Sequence, residues 1–175
     1  RVRVYSNVFY DNSGSKTRSV LAIRGNVIPV DDLTVVDNIF MSNTPEKSGG
    51  DLIWVREGGV PETFVHDYNV FFDNVLTSDV DYQAEAMSLI EVDPQLDNPL
   101  TPPNWSVPDS LDVIHSLYGG FLLGESSPAI NAGIDAVGMD GHPAWRDASI
   151  RRWAILGEPR PLAGQWDIGV HEPLP

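Results

Sequence analysis

The sequence predicts an all-β solenoid, a fold in which the short strands of successive repeats stack in parallel. A phrase of Asn, an aliphatic residue and Phe returns every 31 residues, beginning at Asn7, Asn38 and Asn69. Apolar and polar residues alternate just before each phrase, which is typical of a half-buried strand. A fixed period of this size indicates repeats that each bury an apolar face against the next one.

The first predicted strand of each repeat lies just before the asparagine. Its inward positions align at the period in two columns: Val2, Leu33 and Phe64, and then Val4, Val35 and His66. We expect His66 to be a core or terminal histidine bonded to a backbone carbonyl. A role as a general base is less favoured because no Ser or Cys phrase accompanies it.

The asparagines are predicted to form a structural ladder at a bend. Strands that meet their counterparts one repeat later pair in register, about 4.8 Å apart. Asn7, Asn38 and Asn69 would then stack, and each side-chain amide would bond to the next. Two further columns share the period, one polar and one inward: Asn12, Asn43 and Asn74, and then Phe9, Phe40 and Phe71.

A second strand follows in the first two repeats, where residues 20–24 match residues 52–56 at an offset of 32. This register places Leu21 over Ile53 on the inner side. It places Arg24 and Arg56 together on the outer side, with Trp54 beside them. Guanidinium groups bind carboxylates and indole faces stack on sugar rings, so these three are the substrate-binding candidates. The alternative is structural: Arg56 pairs with an acidic neighbour and Trp54 packs under a loop.

The composition limits the partners. The 175 residues include 25 acidic and 11 basic side chains, which gives a net charge of −14. A chain this acidic should repel nucleic acid and anionic lipid, and it has no long apolar run, so we expect neither nucleic acid nor a membrane as a partner. The absence of cysteine excludes disulfides, thiol catalysis and thiolate metal sites.

Acidic residues are numerous but predict no metal site. Calcium needs six to eight converging oxygens, and no loop has the spacing of a calcium motif. We therefore assign no metal ligand and no cofactor, although the acidic residues leave calcium open. They include Asp31, Asp32, Asp37, Asp67, Asp73, Asp79 and Asp81. A glycosidase needs two carboxylates about 5–10 Å apart. In the aligned strands, no two acidic residues stack at the 31-residue period, so the alignment does not indicate such a pair.

The period fades after Asn74. We divide the chain into repeats at 1–76, an irregular surface-crossing extension at 77–128 with a short helix around Tyr82–Leu89, and a closing segment at 129–175. The closing phrases are Ser-Pro-Ala-Ile-Asn-Ala-Gly at 127–133 and Asp-Ile-Gly-Val-His-Glu at 167–172. Asn131 and Asp167 are expected to cap turns, and Gly133 to permit a positive φ.

These features resemble the right-handed parallel β-helix of the pectate-lyase type. The closing phrases resemble the last segment of many bacterial extracellular β-helix proteins, with Asn131 where Asp is common and His171 where Tyr is common. The resemblance implies about three coils plus a C-terminal closing segment, and an extracellular or cell-surface location. The first predicted coil would expose strand edges and stacked apolar residues, which invite pairing, so we also expect upstream coils or a homo-oligomer formed through the N-terminal end. A leucine-rich repeat is disfavoured because no leucine consensus is present.

Two functions follow from this resemblance. In the first, the chain is the C-terminal portion of a carbohydrate-recognising or structural protein, with no catalysis in this segment. In the alternative, it belongs to a polysaccharide lyase or glycoside hydrolase that acts on acidic polysaccharide, with or without calcium. Catalytic residues are not identified by the sequence, and one fold carries many activities.

Overall fold

The computed structural model describes residues 2–14, 19–23, 32–45, 51–55, 63–75, 86–99, 120–134 and 165–169. Within these ranges every regular element is a strand, which confirms the all-β prediction for the described part of the chain. The first repeat contains β1 (Val2–Tyr5), β2 (Val8–Tyr10), β3 (Ser13–Gly14) and β4 (Ser19–Ile23). The second contains β5 (Asp32–Val36), β6 (Ile39–Met41), β7 (Thr44–Pro45) and β8 (Asp51–Val55). They are followed by β9 (Thr63–Asp67), β10 (Val70–Phe72) and β11 (Leu89–Ile90).

The strands pair in parallel with their counterparts in the neighbouring repeat. Four sheets result, with the orders β1-β5-β9, β2-β6-β10-β11, β3-β7 and β4-β8. Val4 lies opposite Val35, and Val35 lies opposite His66, as the 31-residue period predicts. Leu21 lies opposite Ile53, which is the predicted offset of 32. The parallel, in-register stacking of the repeats is therefore confirmed.

The inner core lies beneath these sheets. Phe40 stands between Phe9 and Phe71, with ring centroids 4.7 Å and 5.1 Å away and nearly parallel ring planes. Leu33, Val35, Phe40, Leu52, Ile53 and Phe71 form the buried cluster. The burial of both Leu52 and Ile53 departs from the predicted alternation, because both side chains enter this core at the start of β8.

A second apolar core lies on the other side of the β2-β6-β10-β11 sheet. Ile39 and Val70, which alternate along their strands with the inward phenylalanines, pack against residues from the C-terminal half of the chain. Those partners are Leu96, Leu123, Ala129 and Ile168. The C-terminal residues thus cover the outer face of this sheet.

The predicted helix around Tyr82–Leu89 is wrong at its described end. Leu89 and Ile90 form β11, which pairs in parallel with Val70 and Phe71 of β10. Both residues pack on the apolar columns of the sheet, and this burial outweighs the local helical tendency. The sheet thus continues into the region predicted to be irregular.

Candidate functional site

Asn38 is the centre of a hydrogen-bonded column of asparagines. Its side-chain oxygen accepts hydrogen bonds from Asn7 N (3.1 Å) and Asn7 Nδ2 (3.0 Å). Its own N and Nδ2 donate to Asn69 Oδ1, each over 3.1 Å. Nδ2 also reaches the carbonyls of Val36 (2.9 Å) and Val4 (3.0 Å). Because Asn38 is fully buried, these bonds satisfy backbone groups that water cannot reach.

A parallel column runs through the second asparagine of each phrase. Asn12 Nδ2 donates to Asn43 Oδ1 over 2.9 Å, and Asn43 Nδ2 donates to Asn74 Oδ1 over 2.9 Å. Asn43 is buried whereas Asn12 is exposed. Both columns run through bends where the preceding residue has a positive φ.

The bend residues adopt the left-handed conformation although none of them is glycine. Before the first asparagine φ is 53° at Ser6, 57° at Asp37 and 54° at Tyr68. Before the second it is 49° at Asp11, 55° at Ser42 and 52° at Asp73. Such a conformation costs about 1–2 kcal/mol per residue. The asparagine bonds and the core packing on both sides of each bend offset this cost.

Trp54 in β8 is the substrate-binding candidate that the structure partly describes. The backbone of Trp54 lies directly opposite Ala22, which is exposed to solvent. Both strands end one residue before an arginine, at Ile23 and Val55. The candidates Arg24 and Arg56 themselves lie outside the described residues, as does the side chain of Trp54.

Residues that alternate with the inward positions are buried on the middle strands of the two larger sheets. The C-terminal residues lie on β2-β6-β10-β11. In the middle strand of the other sheet, Thr34 and Val36 alternate with the inward residues and are nevertheless buried, at 9% and 0% exposure. In β4, by contrast, Ala22 is exposed. Within the β4-β8 pair, Ala22 is thus a position that solvent can reach.

Asp37 is fully buried and anchors the C-terminal residues to the repeats. Its Oδ1 accepts a hydrogen bond from Ile134 N over 2.9 Å, and its carbonyl accepts one from Gly169 N over 2.8 Å. A Cβ atom on Gly133 would lie 2.9 Å from Asp37 Oδ1 and 2.9 Å from the Trp166 carbonyl oxygen. Glycine at position 133 is therefore what lets the two segments approach.

Asp167 likewise accepts a backbone hydrogen bond, here between the two closing phrases. Its side chain is 3% exposed, and Oδ1 accepts a hydrogen bond from Asn131 N over 2.6 Å. Asn131 itself has φ 56°, whereas Gly133 does not have a positive φ. The expected positive φ at Gly133 is thus corrected: Asn131 adopts it, and Gly133 serves close packing. Gly169, at φ 104°, is the glycine that requires this freedom.

Sequence reasoning missed Asp37 as an anchor. The sequence indicates Asp37 only as one of the acidic residues that leave calcium open, because its partner Ile134 lies 97 residues away along the chain. The available signal was the pair of glycines, Gly133 and Gly169, which flank the contacts of Asp37.

His66, predicted to lie inward, is half-buried, and its ring centroid lies 4.5 Å from that of Phe64.

The described residues hold no group of three or more His, Asp or Glu side chains that could bind a metal ion. They also contain no helix that is long and apolar enough to cross a membrane.

Comparisons with protein-family models, with curated proteins and with solved structures gave no match. Any function therefore has to be argued from the chain itself.

Proposed function

We propose that the chain closes a right-handed parallel β-helix of an extracellular protein and recognises carbohydrate without chemical turnover. The observation that carries the proposal is the backbone pairing of Trp54 with solvent-exposed Ala22 across β4 and β8. Ala22 is a small residue, so the strand beside Trp54 offers little steric hindrance to a flat ligand. Arg24 and Arg56 follow directly on both strands and would supply cations for acidic sugars.

The parallel register of the four sheets supports the β-helix, because stacked repeats of this kind close into a solenoid when each turn bends the same way. The positive-φ bends recur at equivalent positions in three repeats, which gives each turn the same change of direction.

We assign no catalytic role to Asp37 and Asp167, the two buried carboxylates with described contacts. Asp37 and Asp167 both accept hydrogen bonds from backbone N–H groups of the closing segment. Both are shielded from solvent, with exposures of 0% and 3%, so a substrate cannot reach them. They are positioned to hold backbone together.

Titration calorimetry of the full chain with oligomers of galacturonate, alginate and chondroitin tests this proposal, with neutral glucan oligomers for comparison. Binding to at least one acidic oligomer is expected. Trp54→Ala should weaken it about fivefold or more, since aromatic and cationic contacts contribute about 1 kcal/mol each. Arg3→Ala, which removes a cation from the β1-β5-β9 sheet instead, is the matched control and should leave the affinity unchanged.

The same mixtures, incubated with and without calcium, are followed by ultraviolet absorbance for unsaturated product. Binding without product supports recognition. Product formation that depends on Arg24 or Arg56 would establish the lyase alternative and overturn the proposal. Absence of binding to every oligomer would overturn carbohydrate recognition and leave a structural role for the closed stack.

A further inference from the structure

The asparagine ladders have a polarity, which is set by which atom donates. In each step the earlier repeat donates through N and Nδ2, and the later repeat accepts at Oδ1. The second column has the same direction, from Asn12 to Asn43 to Asn74. Each later asparagine in turn uses Nδ2 to bond a carbonyl of the earlier repeat, as Asn38 does with Val4.

The two ends of the stack therefore differ chemically. At the late end, Asn69 N donates to Ser88 Oγ over 2.9 Å, so β11 and the serine before it finish the first column. At the early end, no hydrogen bond to Asn7 Oδ1 or Asn12 Oδ1 occurs among the described residues. Asn7 is half-buried and Asn12 is exposed. The early end is thus a pair of acceptors beside β1 and β2, which are the edge strands of their sheets among the described residues.

The backbone carries the same polarity. Ile39 N donates to the carbonyl of Asn7, and Val70 N donates to the carbonyl of Asn38, both over 2.8 Å. At the second bend, Thr44 N donates to the carbonyl of Asn12 over 3.1 Å. The equivalent donors of the first repeat are Val8 N and Ser13 N. They require carbonyls on a strand that precedes them in the stack.

We propose that this early end is a docking surface for a further repeat that carries the phrase Asn-aliphatic-Phe-x-x-Asn in parallel and in register. Such a repeat brings two N–H groups to the Oδ1 atom of Asn7 and two to that of Asn12. It also brings one carbonyl to Val8 N, one to Ser13 N, and a phenylalanine ring that stacks on half-buried Phe9. This interface is a continuation of the two repeat-to-repeat interfaces within the chain. The inference goes beyond carbohydrate recognition and does not depend on it.

A second copy of the chain fits this surface less well. Two copies that meet through their early ends bring Oδ1 against Oδ1, with no donor between them. A copy that meets the early end with its late end would have to offer Asn69 N, which is already bonded to Ser88 Oγ. The polarity therefore favours an added repeat over self-association.

The test is a full-length chain in which residues 1–31 are duplicated at the N-terminus, which places a new asparagine 31 residues before Asn7. Amide hydrogen exchange of Val8 and Ser13 is measured. We expect exchange at both to slow by about tenfold or more, which corresponds to one hydrogen bond at each amide. In the matched control, both added phrase asparagines are changed to Asp, so that carboxylates face Oδ1. There, the protection should be lost.

Exchange at Val8 that is unchanged by the duplication, or equally slowed in the control, would overturn the proposal. If the duplicated chain is insoluble, the original full chain is measured with a synthetic peptide of residues 1–14 added in excess. Protection of Val8 by that peptide, and not by its Asn→Asp version, supports the proposal, and its absence contradicts it. Protection of Val8 in the original chain alone that rises with protein concentration would assign the surface to self-association instead.

Discussion

Replacing Asn38 by Asp changes one NH₂ group into an oxygen at the centre of the buried ladder. The side-chain shape is conserved, and Oδ1 can still accept from Asn7. Nδ2 shares its two hydrogens among the oxygens of Val4, Val36 and Asn69, and in the variant all three become contacts between oxygens at 2.9–3.1 Å. A buried acceptor left without its donor costs about 1–3 kcal/mol, and a buried charge without a partner costs more.

We therefore expect Asn38→Asp to lower the free energy of unfolding by about 3–5 kcal/mol, a large share of the total of about 5–15 kcal/mol typical for a domain. Urea unfolding at neutral pH, followed by tryptophan fluorescence and far-ultraviolet circular dichroism, measures this change. Coincident transitions from the two probes are required before the values are compared.

The matched control is Asn12→Asp, which makes the same chemical change at the exposed end of the second column. Asn12 Nδ2 donates to Asn43 Oδ1 and, over 3.4 Å, to the Tyr10 carbonyl, but water can replace both partners. The expected cost is about 1 kcal/mol or less. Equal, small costs for Asn38→Asp and Asn12→Asp would refute the claim that the buried ladder stabilises the stack.

Three further substitutions have defined outcomes in the same unfolding assay. Gly133→Ala should cost about 1–3 kcal/mol, because its Cβ would lie 2.9 Å from Asp37 Oδ1 and from a backbone carbonyl oxygen. Phe40→Ala should cost about 3–5 kcal/mol, since it empties the middle of the buried ring stack. Ser6→Gly should instead stabilise the chain and raise the free energy of unfolding by about 0.5–1.5 kcal/mol. Ser6 has φ 53° and a buried hydroxyl without a hydrogen bond in the described structure.

Two of these three substitutions have a control variant, and the third has a result that would contradict the expectation. Phe9→Ala removes the half-buried end of the ring stack and should cost less than Phe40→Ala; the reverse order would be inconsistent with the described packing. Ser42→Gly changes a similar bend, but its hydroxyl donates to Asp73 Oδ2 over 3.1 Å, so it should gain less than Ser6→Gly. A Gly133→Ala variant as stable as the original chain would show that the closing segment does not approach Asp37 closely.

The period and the strand register could be predicted from the sequence because they depend on local, repeated chemistry. An asparagine at a bend can bond an identical neighbour in the next repeat, so the 31-residue spacing of Asn7, Asn38 and Asn69 indicates the pairing directly. Phe40 follows from the same logic, since a ring at one inward position stacks on its counterpart. The described strands adopt this register.

The contacts of the closing segment could not be predicted, because they join residues that share no period. The bond from Ile134 to Asp37 spans 97 residues and involves a backbone donor, which no side-chain pattern reveals. The strand that contains Leu89 could not be predicted either, because it is only two residues long and is stabilised by its pairing with β10. For the candidate site, the register predicted the pairing of Trp54 with Ala22, whereas Arg24 and Arg56 lie outside the described residues.

Nuclear Overhauser spectroscopy on the isotopically labelled chain measures the stacking of the repeats most directly. The parallel, in-register stack predicts interstrand cross-peaks between residues 31 apart, from Val8 to Ile39 and from Ile39 to Val70. Strands about 4.8 Å apart bring these backbone protons within range. Cross-peaks that run in antiparallel order, or that are shifted by one residue so that Val8 meets Phe40, would contradict the stack and the ladder built on it.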